Sequence, residues 1–130
     1  MKLPYDQIAA VAIGGAIGSV SRFLCGHLLG NWLGTLFPWG TLMVNILGSI
    51  WLGYIATISL QRPGSLDPTL RLLLTTGFAG GFTTFSSFAY ETLALLQQNE
   101  PELAVANIGS NMILGFIACW LGFVIARMQG

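Results

Sequence analysis

Thr75-Thr76-Gly77-Phe78-Ala79-Gly80-Gly81-Phe82-Thr83-Thr84-Phe85-Ser86-Ser87-Phe88 packs three glycines and six hydroxyl side chains into a long apolar segment. Glycines at 77, 80 and 81 lower helix propensity and let the backbone leave helical geometry. At membrane depth a broken backbone survives only where protein or a water-filled cavity satisfies its polar groups. The stretch therefore predicts a broken transmembrane helix, whose free carbonyls and amides suit ions rather than covalent chemistry. Phe85 and Phe88, one turn apart, project from the same face just beyond the break, with the Ser86 and Ser87 hydroxyls between them.

Other polar residues lie in apolar surroundings. Asn45 sits within Gly-Thr-Leu-Met-Val-Asn-Ile-Leu-Gly (40–48). A carboxamide in hydrocarbon costs free energy unless bonded, so Asn45 is either glue between helices or an amide donor facing an anion path. Asn107, Asn111, Gly115 and Cys119 recur every four residues on one slowly drifting helical face, with Ser110 beside it, either a packing seam or a polar track lining a pore. Arg22 reads as an interfacial anchor or as a cation near a vestibule. Glu91, one turn beyond Phe88, reads as an interfacial group, an ion-pair partner for Arg22, or a proton carrier. His27 is interfacial by its position near a helix end, and no second metal-binding side chain has suitable spacing. The two cysteines, Cys25 and Cys119, lie in apolar segments without CxxC spacing, so no disulfide is expected.

Four apolar segments must position these groups. With 54% hydrophobic and only 8% charged residues, and a mean hydropathy of +0.73, the 130-residue chain lies far outside soluble globular composition and reads as one all-α integral membrane domain, 1–130. Zero formal net charge gives no indication of nucleic-acid binding. Spans are expected at about 5–29, 40–60, 70–98 and 103–127, the third broken near its middle. The first carries a Gly14/Gly18 GxxxG spacing that permits close helix approach, and it lacks a convincing signal-peptide cleavage site. An aromatic, glycine-rich connection over 30–39, a polar loop over 61–69 and a short acidic loop over 97–102 join them. Lys2, Arg62, Arg71 and Arg127 fall on one side and Arg22 near the other, so the positive-inside rule favours both termini inside. No internal repeat occurs, and any pseudo-symmetry must come from a second copy of the chain.

The blocks Gly-Gly-Ala-Ile-Gly-Ser-Val-Ser-Arg (14–22), Gly-Thr-Leu-Met-Val-Asn-Ile-Leu-Gly (40–48) and the 75–88 stretch together resemble the Fluc, or CrcB, family of bacterial fluoride channels, over all four spans. The resemblance implies a multi-pass protein of the bacterial inner membrane that exports fluoride passively and lowers its cytoplasmic level, without an enzymatic step. It implies a dual-topology homodimer of antiparallel subunits in lipid, with two narrow pores along the interface and a structural Na+ at the dimer centre. By the same resemblance the pore phenylalanines fall on Phe85 and Phe88, the pore-facing asparagine on Asn45, the hydroxyls between the rings on Ser86 and Ser87, and the sodium ligands on the Gly80 and Thr83 carbonyls. Family members often carry hydroxyls along the fourth helix, where this chain has Asn111, then Gly115 and Cys119. The charge bias noted above also departs from the near-zero bias of a dual-topology chain.

Two other classes fit the size. A small multidrug-type proton-coupled antiporter subunit needs a membrane-embedded acid in its first helix, and that segment has none beyond Asp6. A non-conducting assembly subunit packed through its glycine faces differs from a channel by carrying no ion flux.

Overall fold

The computed structural model describes residues 2–130 and is all-helical. Three helices are long and apolar enough to cross a membrane by length and composition: α1 (Tyr5–Leu33), α2 (Trp39–Gln61) and α6 (Pro101–Met128). Between α2 and α6 the chain makes a composite helix. α3 (Pro68–Leu72) runs into a π-helical stretch, Leu73–Ala79, then α4 (Gly80–Phe82), and after Thr83 and Thr84 the chain resumes as α5 (Phe85–Gln97). The third of the four expected segments is therefore present, bent and in pieces.

Local chemistry accounts for the ends. Asp67 caps α3 by accepting from the Thr69 and Leu70 amides at 2.9 and 3.2 Å, and Pro68 needs no amide partner in the first turn. α1 runs to Leu33, past the expected end near residue 29, because Gly30 is tolerated within it. It stops at Gly34, whose φ of +88° a side-chain-bearing residue rarely adopts. Only 34–38 then remain as the connection to α2.

Small residues decide the packing. Ala10, Gly14 and Gly18 are the buried positions of α1. A Cβ on Gly14 would strike the Leu73 carbonyl, and one on Gly18 the Phe78 carbonyl, so these glycines seat α1 directly on the π-helical stretch. Gly53 against Cys119 and Gly122 against Ile50 play the same part between α2 and α6. Trp51 ties the second pair to the first: its indole N–H donates to the Leu74 carbonyl at 2.9 Å.

Ends of the bundle are identified by polar contacts. Thr69 Oγ1 donates to Asp6 at 3.2 Å, Arg62 donates to the Gln129 carbonyl, and Tyr54 donates to Gln129 Oε1 at 2.7 Å. The beginning of α1, the 62–67 loop with the start of α3, and the end of α6 therefore share one end of an up-and-down bundle. Arg127 lies there as well, its guanidinium 4.7 Å from the Phe123 ring centroid.

Candidate functional site

The break falls at Thr83 and Thr84, whose backbones are extended (φ −83°, ψ 158° and φ −153°, ψ 118°). The expected position, at the glycines, is corrected: Gly77, Gly80 and Gly81 all remain in helical segments. Two of them serve close packing, since a Cβ on Gly77 would lie 3.0 Å from Gly14 Cα and one on Gly81 only 2.6 Å from the Gly15 carbonyl oxygen.

Asn45 clasps the break. Its Oδ1 accepts from the Thr84 amide at 2.8 Å, and its Nδ2 donates to the Thr84 carbonyl at 3.2 Å and to Asn111 Oδ1 at 2.9 Å. The Thr84 N–H would otherwise close the next helical turn on the Gly80 carbonyl. Likewise the Ser87 N–H, the helical partner of the Thr83 carbonyl, donates to Thr84 Oγ1 at 3.1 Å and so caps α5. The Gly80 and Thr83 carbonyls thus lose their usual donors, with Gly80 exposed and Thr83 half-buried. Both hydrogens of the Asn45 amide are committed inside the chain, and an anion reaching it must displace one acceptor.

The network continues into α6 and back. Asn111 Nδ2 donates to the Asn107 carbonyl and to Asn107 Oδ1, at 2.9 and 3.0 Å. Asn107 Nδ2 donates to Thr92 Oγ1 at 3.0 Å, and Thr92 Oγ1 donates to the Phe88 carbonyl at 2.7 Å. The four-residue spacing from Asn107 to Cys119 does not hold one face to the core. Each such step turns the face by about 40° in a helix of 3.6 residues per turn. Asn107 and Asn111 are accordingly buried, Gly115 is half-buried and Cys119 is exposed.

Phe85 and Phe88 are neighbours, with ring centroids 5.6 Å apart and planes at 59°. Their surroundings differ: Phe88 is 8% exposed and Phe85 73%. Both line a groove of about 270 Å³ together with Asn45, Asn111, Thr83, Thr84 and Gly115. Ser86 is exposed and Ser87 half-buried. Ser87 faces a second groove, of about 260 Å³, with Ser19, Arg22, Thr41 and Thr84.

Arg22 and Glu91 are not joined. Glu91 Oε1 accepts from Thr41 at 2.8 Å, and Oε2 is buried without a hydrogen-bond partner. Glu91 instead lines a third cavity, of about 250 Å³, beside Thr41 and the 34–38 connection. Thr41 thus stands between the Arg22 groove and the Glu91 cavity. The sequence reading missed Thr41, Thr84 and Thr92 as individual partners. Thr84 carried a signal, a threonine three residues before Ser87 at the start of a helix. Thr41 and Thr92 carried none, because their partners come from other turns and other helices.

Comparison with known proteins places these features in a family. The family described as "CrcB-like protein, Camphor Resistance (CrcB)" matches residues 9–123. The chain is 46% identical over 125 residues to the fluoride-specific ion channel FluC of Magnetococcus marinus, across 94% of this chain and 98% of that protein. It is 47% identical over 118 residues to the fluoride-specific ion channel FluC of Thermus thermophilus, across 91% and 93%. With the protein of that name from Sulfurihydrogenibium sp. it shares 39% identity over 123 residues, across 95% and 98%.

Proposed function

The chain belongs to the CrcB/FluC family of fluoride channels, and on that premise we propose that it is a multi-pass membrane channel that lets fluoride leave the cytoplasm passively, with no covalent step. The whole chain acts as one four-helix membrane domain of a bacterial inner membrane. The ion path runs by Phe85, Phe88, Asn45, Ser86, Ser87 and Asn111, with Arg22 at a vestibule.

One observation carries the proposal: uncharged amide and hydroxyl groups converge at a helix break, against a pair of phenylalanine rings. Fluoride is small and strongly hydrated, so a path that strips its water must return hydrogen bonds. Asn and Ser donors do this without a fixed cation that would trap the ion. Ring edges carry partial positive charge and add weak stabilisation where a larger halide does not fit.

The same surface argues for a second copy. Ser86 and the Gly80 backbone are exposed in the single chain at the break. Polar backbone is not stable against lipid tails, so protein must cover it, and an antiparallel copy of the same chain does so by symmetry. The Gly80 and Thr83 carbonyls fit a sodium ion at that interface. Both lack their helical donors, both are hard oxygen ligands, and a two-fold axis doubles the pair to four. Sodium bound there supplies positive charge that offsets unpaired carbonyls. The chain's own part is to hold the two oxygens in place, through the Asn45 clasp and the Thr84 cap.

The test is anion efflux from liposomes holding the purified protein, loaded in turn with fluoride and chloride and read by ion-selective electrodes. Rapid fluoride loss with little chloride loss is the expected result. Retention of both anions by demonstrably reconstituted protein refutes the channel reading.

A further inference from the structure

We propose that Asn107, which lines neither the Phe85–Phe88 groove nor the Arg22 groove, is a positioning residue: with Thr92 it sets the orientation of the Asn111 and Asn45 amides at the ion path. The functional half of this inference rests on the channel reading above.

Asn107 is completely buried, at 0% exposure, within a membrane-spanning helix. A carboxamide there must find partners, and each of its polar atoms has one: Nδ2 donates to Thr92 Oγ1 and Oδ1 accepts from Asn111 Nδ2. The direction of every bond follows from the two ends of the chain. At one end the Phe88 carbonyl can only accept, so it takes the single Thr92 hydroxyl hydrogen. Thr92 Oγ1 is then left as an acceptor, and Asn107 must present its NH2 group to it. Asn107 Oδ1 consequently faces Asn111, which presents NH2 both to it and to the Asn107 backbone carbonyl and aims Oδ1 at Asn45. Asn45 presents NH2 to Asn111 and leaves Oδ1 for the Thr84 amide, which can only donate.

The chain thus begins and ends on the backbone of one turn, from Phe88 back to Thr84. Turning over any one amide would set oxygen against oxygen at one junction and nitrogen against nitrogen at the next. Asn45 and Asn111 line the groove beside both rings, whereas Asn107 and Thr92 do not. Asn107 acts on the path through them.

Two readouts test this on the full-length protein in lipid nanodiscs and planar bilayers. The first is hydrogen exchange of the Asn45 and Asn111 side-chain amides, followed by NMR with labelled asparagine. The second is the unitary fluoride current, which counts one channel at a time and is not lowered by a smaller folded fraction. The double variant N107L/T92V removes both off-path side-chain partners, so that Asn111 keeps only the residue-107 backbone carbonyl on that side, and leaves no polar group of the pair buried and unpaired. It is expected to speed exchange at Asn45 and Asn111 about tenfold, the worth of one sizeable hydrogen bond, and to lower the unitary current several-fold. Thr92→Ser keeps the hydroxyl and is expected to match wild type in both. Thr92→Val alone carries the same test should the double variant not reconstitute. Unchanged Asn45 and Asn111 exchange in the Val or double variant overturns the proposal, as does a full unitary current with accelerated exchange. A wild-type protein that passes no fluoride overturns the channel reading instead, and the exchange rates still decide whether Asn107 orients the amides.

Discussion

Replacing Asn45 with aspartate changes almost no volume and abolishes two hydrogen bonds. One carboxylate oxygen still accepts from the Thr84 amide, as Oδ1 does at 2.8 Å. The other takes the place of Nδ2 and meets the Thr84 carbonyl and Asn111 Oδ1, both acceptors, where bonds of 3.2 and 2.9 Å stood. Two lost bonds at about 0.5–1.5 kcal/mol each come to about 1–3 kcal/mol. An ionised acid at membrane depth adds about 2.5–3.5 kcal/mol on insertion scales. Asn45→Asp should therefore destabilise the fold by about 3.5–6.5 kcal/mol, a large share of the roughly 5–15 kcal/mol that holds a typical protein together. It should also cut fluoride throughput, because the carboxylate repels an anion beside the rings. Denaturant unfolding in detergent and efflux from liposomes measure the two effects separately. If the amide merely faced a water-filled path, the hydrated carboxylate would block ions and leave stability untouched. An Asp variant with the wild-type unfolding midpoint and full efflux at neutral pH refutes both the clasp and the path.

Phe85→Ile and Phe88→Ile should each depress fluoride flux while the protein stays folded, with the larger stability loss at Phe88, which is buried where Phe85 is exposed; unchanged flux in both would remove the rings from the mechanism. Gly18→Val should cost at least about 1–3 kcal/mol by overpacking, since its Cβ would meet the Phe78 carbonyl and lie 2.9 Å from the Phe82 nitrogen; the check is the unfolding midpoint. Thr84→Val removes the cap on the Ser87 amide and should lower stability by about 1 kcal/mol in the same assay. Exchanging sodium for a bulky organic cation should lower the dissociation temperature of the proposed dimer, and a temperature indifferent to the cation speaks against carbonyl-bound sodium.

Helix number and the existence of a break were legible because composition and span length report directly on membrane helices. The composite helix starts at Pro68, inside the polar loop expected over 61–69, although Asp67-Pro68 carries a capping signal that acts within one turn. The position of the break was not legible from Gly77, Gly80 and Gly81, because glycine signals both a failing helix and a close helix contact. Here Gly77 and Gly81 meet α1, and the chain opens one turn later at two threonines. What holds it open is Asn45, 39 residues away in sequence, and no local pattern announces such a pairing. Periodicity placed Phe85 and Phe88 together, but three residues of helix also turn them far enough apart that one is buried and the other is not. The same rotation takes Cys119 off the face that Asn107 and Asn111 share. An ion pair with Arg22 was one of three readings open to Glu91, and in the structure Thr41 occupies the carboxylate oxygen that is bonded.

Selective passage of fluoride at this break, with larger halides turned away, is what the proposed function requires. Its most direct test is the reversal potential of the reconstituted protein in a planar bilayer, with fluoride on one side and an equal concentration of chloride on the other. The expected result is a current carried by fluoride and a potential displaced far toward the fluoride equilibrium, with the current shrinking in amplitude in Phe85→Ile. A potential near zero, meaning that chloride passes as readily, would contradict it.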